Sequence, residues 1–218
     1  MRAEHGTTEP PFYELQAKVM RQWPGVEWVN RVGRDRDPKA PGPWPYGHVG
    51  GGRGWDCWPM KGEPTPIFRT KRREPERLAD ACYFAGPAWL LASAGLAELL
   101  RGLQPEDVKL LPVEVRLGDG TALPVGAFCM VDVTRLVPAY DAAAMGLRIV
   151  DHGGGPRYEP ELRERLLLRP DIPEGLHLFR DEVSAFRLYA SRAVRDACRA
   201  AKYTRSLNFV PAELSEQR

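Results

Sequence analysis

The first apolar pattern along the chain is helical. Phe12, Leu15, Val19 and Trp23 recur at intervals of three and four, which predicts a helix. Pro24-Gly25 ends it before a short strand-like run from Val26 to Val32. From Asp35 to Pro66 no period survives, because the glycines and prolines there forbid long helices and central strands. Yet Trp44, Tyr46, Trp55 and Trp58 are too apolar for a solvated linker. Residues 1–77 therefore read as an N-terminal helix followed by an ordered, irregular Gly/Pro/Trp-rich loop region folded over a core.

From about Leu78 the pattern alternates between strands and helices. Leu90-Leu91-Ala92-Ser93 runs into Leu96, Leu99, Leu100 and Leu103, and Leu188-Tyr189-Ala190-Ser191 runs into Val194, Ala197, Cys198 and Ala201. Each segment reads as a strand, a serine N-cap and an apolar stripe at i, i+3, i+4 and i+7. A serine oxygen at that place accepts from first-turn amides that lack intrahelical partners. Each helix then leads into a strand around a proline, Pro112 or Pro211. The parallel reads either as an internal duplication or as the recurrence that any chain of alternating strands and helices can show by chance.

Further strands are expected at Ala127–Val133, Leu166–Leu168, Leu176–Phe179 and Phe186–Tyr189, with turns at Asp119-Gly120 and Glu174-Gly175. The fold class is α+β, a mixed or antiparallel sheet carrying two strand-helix-strand units over residues 78–218. Leu96, Leu99, Leu100, Val194, Ala197 and Cys198 should be buried.

Composition narrows the function classes. At 218 residues with 43% apolar, the chain can bury a sizeable core. Its 31 Lys and Arg against 29 Asp and Glu leave a net charge of +2, which demands no polyanionic partner. The four cysteines lie far apart without a CxxC pair, so they predict buried thiols in a reducing compartment and no zinc or redox site. Met1 to Pro10 is polar and no later run reaches the ~18 apolar residues of a membrane span, so the expectation is a cytoplasmic protein with no membrane partner.

No GxSxG elbow, P-loop, HExxH or placed GxGxxG occurs. His152-Gly153-Gly154-Gly155 resembles an esterase oxyanion loop, but no serine sits in the elbow that such a loop requires. Asp151, His152 and the remote His177 are too few and too scattered to predict a metal. No catalytic set, metal or cofactor is expected. The basic run Arg69, Lys71, Arg72, Arg73 and Arg77 is interrupted by Glu74 and Glu76 and reads as a solvated connector. Partner contact is better served by the loop Pro43 to Trp58. Trp and Tyr dominate interface hot spots, which makes Trp44, Tyr46, Trp55 and Trp58 the candidate anchors.

Several landmarks together resemble one family. They are the strand ending at Ser93, Leu111-Pro112-Val113-Glu114, Asp132-Val133, Ile172-Pro173, His177-Leu178-Phe179-Arg180, Tyr189-Ala190-Ser191 and Asn208-Phe209-Val210-Pro211. From about Cys82 to the C-terminus their order resembles a family of bacterial immunity proteins from polymorphic toxin systems, first catalogued as a domain of unknown function. Thr204-Arg205-Ser206 and Tyr140-Asp141 depart from its pattern. The resemblance implies an adaptor that binds a cognate toxin effector domain, delivered by a contact-dependent or type VI secretion route, and blocks its active site. Two other readings stand beside it. One is a hydrolase of unfamiliar type that reverses a toxin-made modification through Asp151, His152 and His177. The other is a nucleic-acid-binding protein using the basic run, a partner disfavoured by the charge balance.

Overall fold

The computed structural model describes residues 9–17, 27–28, 65–84, 89–151, 156–159, 166–173, 175–184 and 187–216. Three strands precede residue 70: β1 (Phe12–Ala17), β2 (Glu27–Trp28) and β3 (Ile67–Arg69). Then β4 (Ala81–Phe84) and β5 (Trp89–Ser93) lead into helix α1 (Ala94–Leu103), followed by β6 (Val108–Arg116) and β7 (Phe128–Val133). The short strands β8 (Leu136–Val137), β9 (Arg148–Asp151), β10 (Pro156–Glu159) and β11 (Leu167–Leu168) come next. Finally β12 (Leu178–Asp181) and β13 (Leu188–Ser191) lead into α2 (Arg192–Ala200), β14 (Leu207–Pro211) and β15 (Glu213–Leu214). The class is α+β, dominated by a six-stranded sheet, β2-β3-β6-β7-β5-β4, and a five-stranded sheet, β14-β1-β13-β12-β8. Both are mixed, since β3 runs parallel to β6 and β8 parallel to β12.

The two sheets share a connectivity. β5 and β6 are joined by α1, and both run antiparallel to β7, which lies between them. β13 and β14 are joined by α2, and both run antiparallel to β1, which lies between them. Outside these, β4 pairs with β5 as β12 pairs with β13, again antiparallel. The order β4-β5-β7-β6 is thus matched by β12-β13-β1-β14, except that the inserted strand follows its helix in one sheet and comes from the N-terminus in the other.

The helix expected to begin at Phe12 is a strand instead. Its neighbours decide this: β1 carries backbone hydrogen bonds to β13 on one side and β14 on the other, and a helix there would leave the facing edges of both unpaired. Leu15 and Ala17 enter one apolar cluster and Phe12 another, so the segment is buried on both faces and lacks a clean alternation. Val19 and Trp23 lie outside the described residues, as does most of the loop region. The boundary drawn at residue 78 cuts through both sheets, because β1 and β3 precede it.

One core joins the halves. Leu96 and Leu100 of α1 and Val194 and Cys198 of α2 are buried in a cluster that also holds Leu15, Leu90, Val131 and Leu188. Full burial of each such aliphatic side chain contributes ~1.5–3 kcal/mol. Leu99 and Ala197 are only half-buried. Gly95 of α1 makes room for the side chain of Tyr203, which follows α2, since a Cβ there would collide with its hydroxyl. The caps differ from expectation. Ser191 Oγ accepts from the Val194 N–H at 3.4 Å, but Ser93 Oγ caps nothing and donates to Asp80 Oδ1 at 2.9 Å. The charge-assisted bond to the carboxylate turns the Ser93 hydroxyl toward Asp80, and its oxygen accepts from no first-turn amide.

Candidate docking groove

The anchors expected from sequence, Trp44, Tyr46, Trp55 and Trp58, lie outside the described residues, as does His152. The basic run leaves β3 with Arg69, Lys71, Arg73 and Arg77 exposed. His177 is engaged within the fold: its Nδ1 lies 3.0 Å from Ser191 Oγ and its backbone N–H donates to Gln104 Oε1 at 2.9 Å. Gln104, at the end of α1, also accepts from the Leu178 N–H and donates to its carbonyl, tying one half to the other. Cys82, Cys129 and Cys198 are buried free thiols. Burial pushes Cys82 and Cys198 up to about 12, which keeps them protonated and unreactive near neutrality. Among the described residues no group of three or more His, Cys, Asp or Glu side chains is placed to hold a metal, and no helix is long and apolar enough to cross a membrane.

Of the most distinctive sequence landmarks, Phe179-Arg180 is interior, whereas Phe209-Val210-Pro211 runs from half-buried to exposed. Phe179 stacks on Tyr189 with ring centroids 5.4 Å apart and meets Phe12 edge-on at 5.2 Å. Arg180, only 1% exposed, brings Nη1 to 3.7 Å from Asp132 Oδ1, so two landmarks distant in sequence meet where β12 approaches β7. Burial pushes the Asp132 carboxyl up, opposed by the Arg180 charge. Phe209 packs edge-on against Tyr13.

A groove of about 1050 Å³ opens where the turn after β8, the β9–β10 hairpin, β11 and residues 213–216 converge. Backbone hydrogen bonds clamp β11 from both sides: Asp141 N–H to Leu167 O at 3.0 Å, Arg169 N–H to Ala139 O at 2.9 Å and Ser215 N–H to Leu168 O at 2.8 Å. Tyr140 and Tyr158 form the floor, their ring centroids 5.7 Å apart. Beneath them, buried Asp181 accepts from the Tyr158 hydroxyl at 3.0 Å and from the backbone N–H groups of Ala139, Tyr140, Val183 and Ser184 at 2.8–3.2 Å. Burial pushes its carboxyl up while these donors pull it down. The Tyr189 hydroxyl donates to that of Tyr140 at 3.1 Å. The floor is thus fixed by a satisfied polar network.

The rim is acidic and partly apolar. Among the described residues the rim carries the carboxylates Asp141, Asp171, Glu182, Glu213 and Glu216 and the guanidinium of Arg169. Arg169 is held in a two-pronged pair with Asp171 at 2.6 and 2.8 Å, which holds the Asp171 carboxyl below its usual range. Ile149 and Leu214 are 53% and 37% exposed on the walls, among the few large aliphatic side chains so placed. Ser215 also lines the groove. Its Oγ is buried and has no hydrogen-bond partner among the described residues. Sequence reasoning missed this site. Nearby signals were Tyr140-Asp141, where the chain departs from the family pattern, and Asp181, beside the Phe179-Arg180 landmark.

A model of an immunity protein family, Imm11, matches residues 11–213, a span that takes in β1 as well as the segment from Cys82 onward. No curated protein matches the chain.

Proposed function

The chain belongs to the Imm11 immunity protein family, and we propose that it neutralises a partner toxin by stoichiometric binding. The family match over both sheets and both helices carries this reading. Inhibition by occupancy needs a complementary surface, not an acid, base and nucleophile held in register. The chemistry of the described residues supports it. His177 is hydrogen-bonded into the fold, the buried thiols are protonated, and the acidic groove is a preformed surface rather than a reaction cavity. The partner in this reading is a toxin effector domain delivered by a contact-dependent or type VI route and met in the cytoplasm. The aromatic stretch Pro43 to Trp58, with Trp44, Tyr46, Trp55 and Trp58, is a proposed second contact.

Titration of the toxin encoded beside this chain's gene tests the proposal. Activity should fall to an endpoint near one equivalent, and co-expression should restore growth. Complete neutralisation far below one equivalent would instead establish turnover, the behaviour of a hydrolase.

A further inference from the structure

We infer that the surface joining the two halves is a self-complementary interface between two copies of one unit, so that the molecule is a homodimer whose subunits share a single chain. One unit is β4-β5-α1-β6 with β7 inserted, and the other is β12-β13-α2-β14 with β1 inserted. Register carries the equivalence. In the first unit Phe128 lies opposite the serine that precedes the helix, Ser93, and the next residue, Cys129, lies between Ala92 and Pro112. In the second, Phe12 lies opposite Ser191, and Tyr13 lies between Ala190 and Pro211. The match holds to the last residue of each inserted strand, where Val133 faces Val108 and Ala17 faces Leu207. Burial dictates only which face of a strand points inward, and a slip by one full side-chain period keeps that face. Packing alone therefore leaves the register open, whereas the copying of one unit sets it.

The contacts between the units come in reciprocal pairs, as a twofold relation requires. Asp80 and His177 hold the same place. Each precedes its outer strand, accepts the backbone N–H of its unit's serine at 2.7 or 2.8 Å, and meets that serine's hydroxyl with its side chain. From this place the Asp80 N–H donates to Ser206 Oγ, in the connection after α2. The His177 N–H donates to Gln104 Oε1, at the end of α1, and both bonds measure 2.9 Å. The strands repeat the exchange, β4 lying against β1 and β12 against β7, while α1 meets its own counterpart α2. A heterologous contact would show one member of each pair without the other. The partner this surface fits is thus a second copy of the unit, and the side chains at Asp80 and His177 have diverged where their position has not.

Two exchanges within the full chain test this. Leu96→Val with Leu100→Cys empties part of the α1 stripe, and Val194→Leu with Cys198→Leu overfills the matching places on α2. Each pair should lower the melting temperature by roughly 5 °C or more. All four together restore the summed volume where the helices meet, and about half or more of the combined loss should return. Losses that simply add overturn the equivalence. The second exchange leaves the core untouched and decides the matter where a stripe variant does not fold. His177→Asp should turn the Ser191 hydroxyl away from α2, as Asp80 does to Ser93, and speed amide exchange at Val194 about fivefold. Asp80→His should release Ser93 Oγ to the Leu96 N–H and slow exchange there by a similar factor. Response at both amides supports the shared unit, and no response at either one overturns it. Neither result touches the stoichiometric-binding reading, which toxin titration decides on its own.

Discussion

The two halves of the molecule reach one arrangement by different routes. In the α1 half, the strand between β5 and β6 is supplied locally by β7. In the α2 half, the equivalent place between β13 and β14 is filled by β1. The caps diverge too, Ser93 being held by Asp80 while Ser191 caps its own helix and meets His177. Strand order is therefore repeated where side-chain contacts are not. Packing a helix on a sheet requires burial and paired backbone, and many side-chain sets satisfy that requirement.

The largest test of this comparison replaces one core leucine in each half. Leu15→Ala in β1 and Leu90→Ala in β5 should each cost about 2–5 kcal/mol in urea unfolding, because both side chains enter the same cluster. Both should shift a single transition. A separate early transition for Leu15→Ala alone would show that the α2 half is an independent unit.

Glycines of α1 sharpen the contact between halves. Gly95→Ala should fall short of the usual helix-propensity gain of ~0.5–1 kcal/mol, because the Tyr203 hydroxyl must give way. Gly102→Ala, with nothing within 4 Å of the added methyl, should instead stabilise by ~0.5–1 kcal/mol. Thermal melting of the two variants reads the difference, and equal shifts would remove the role of Gly95 beside Tyr203.

Thiols compare the halves by pH. Cys82 and Cys198 titrate at 9.0 when free and at about 12 when buried. Their contribution is fully present below pH 9 and is lost between pH 9 and about 12, as unfolded thiols ionise while folded ones stay protonated. The slope is ~1.4 kcal/mol per pH unit for each thiol. Cys82→Ala and Cys198→Ala should each remove that share from the alkaline fall in urea midpoint, whatever their offset at pH 7. The smallest effect is at the caps. Ser191→Ala should cost about 1 kcal/mol and fray α2. Ser93→Ala should cost a similar amount without fraying α1, which amide exchange in the first turns would distinguish.

Legibility followed locality. The stripes after Ser93 and Ser191 announced both helices because an amphipathic period is written in consecutive residues. β1 misled because Phe12 and Leu15 fit helical spacing, while the strand's real partners lie near the other end of the chain. The groove was invisible for the same reason. Asp141, Ile149, Tyr158, Arg169, Glu182 and Ser215 come from separate segments, each an ordinary stretch on its own. Several family landmarks, by contrast, mark the scaffold: Phe179, Arg180 and Tyr189 are packed inside, where a change is felt by every neighbour, and half-buried Asp132 faces Arg180. Ser191→Ala and Leu15→Ala probe that scaffold.

The placement of β1 has a consequence for the living cell. A ribosome makes this strand long before its neighbours β13 and β14. At ~5–20 residues per second, about ten to thirty-five seconds of synthesis separate Leu15 from Leu188, its eventual partner. During that interval the nascent chain carries an apolar strand with two open edges, which invites unintended pairing. The five-stranded sheet therefore closes around β1 only after residues 188–211 have been made, and it falls to the chaperones around the exit tunnel to keep the early strand available for its late partners.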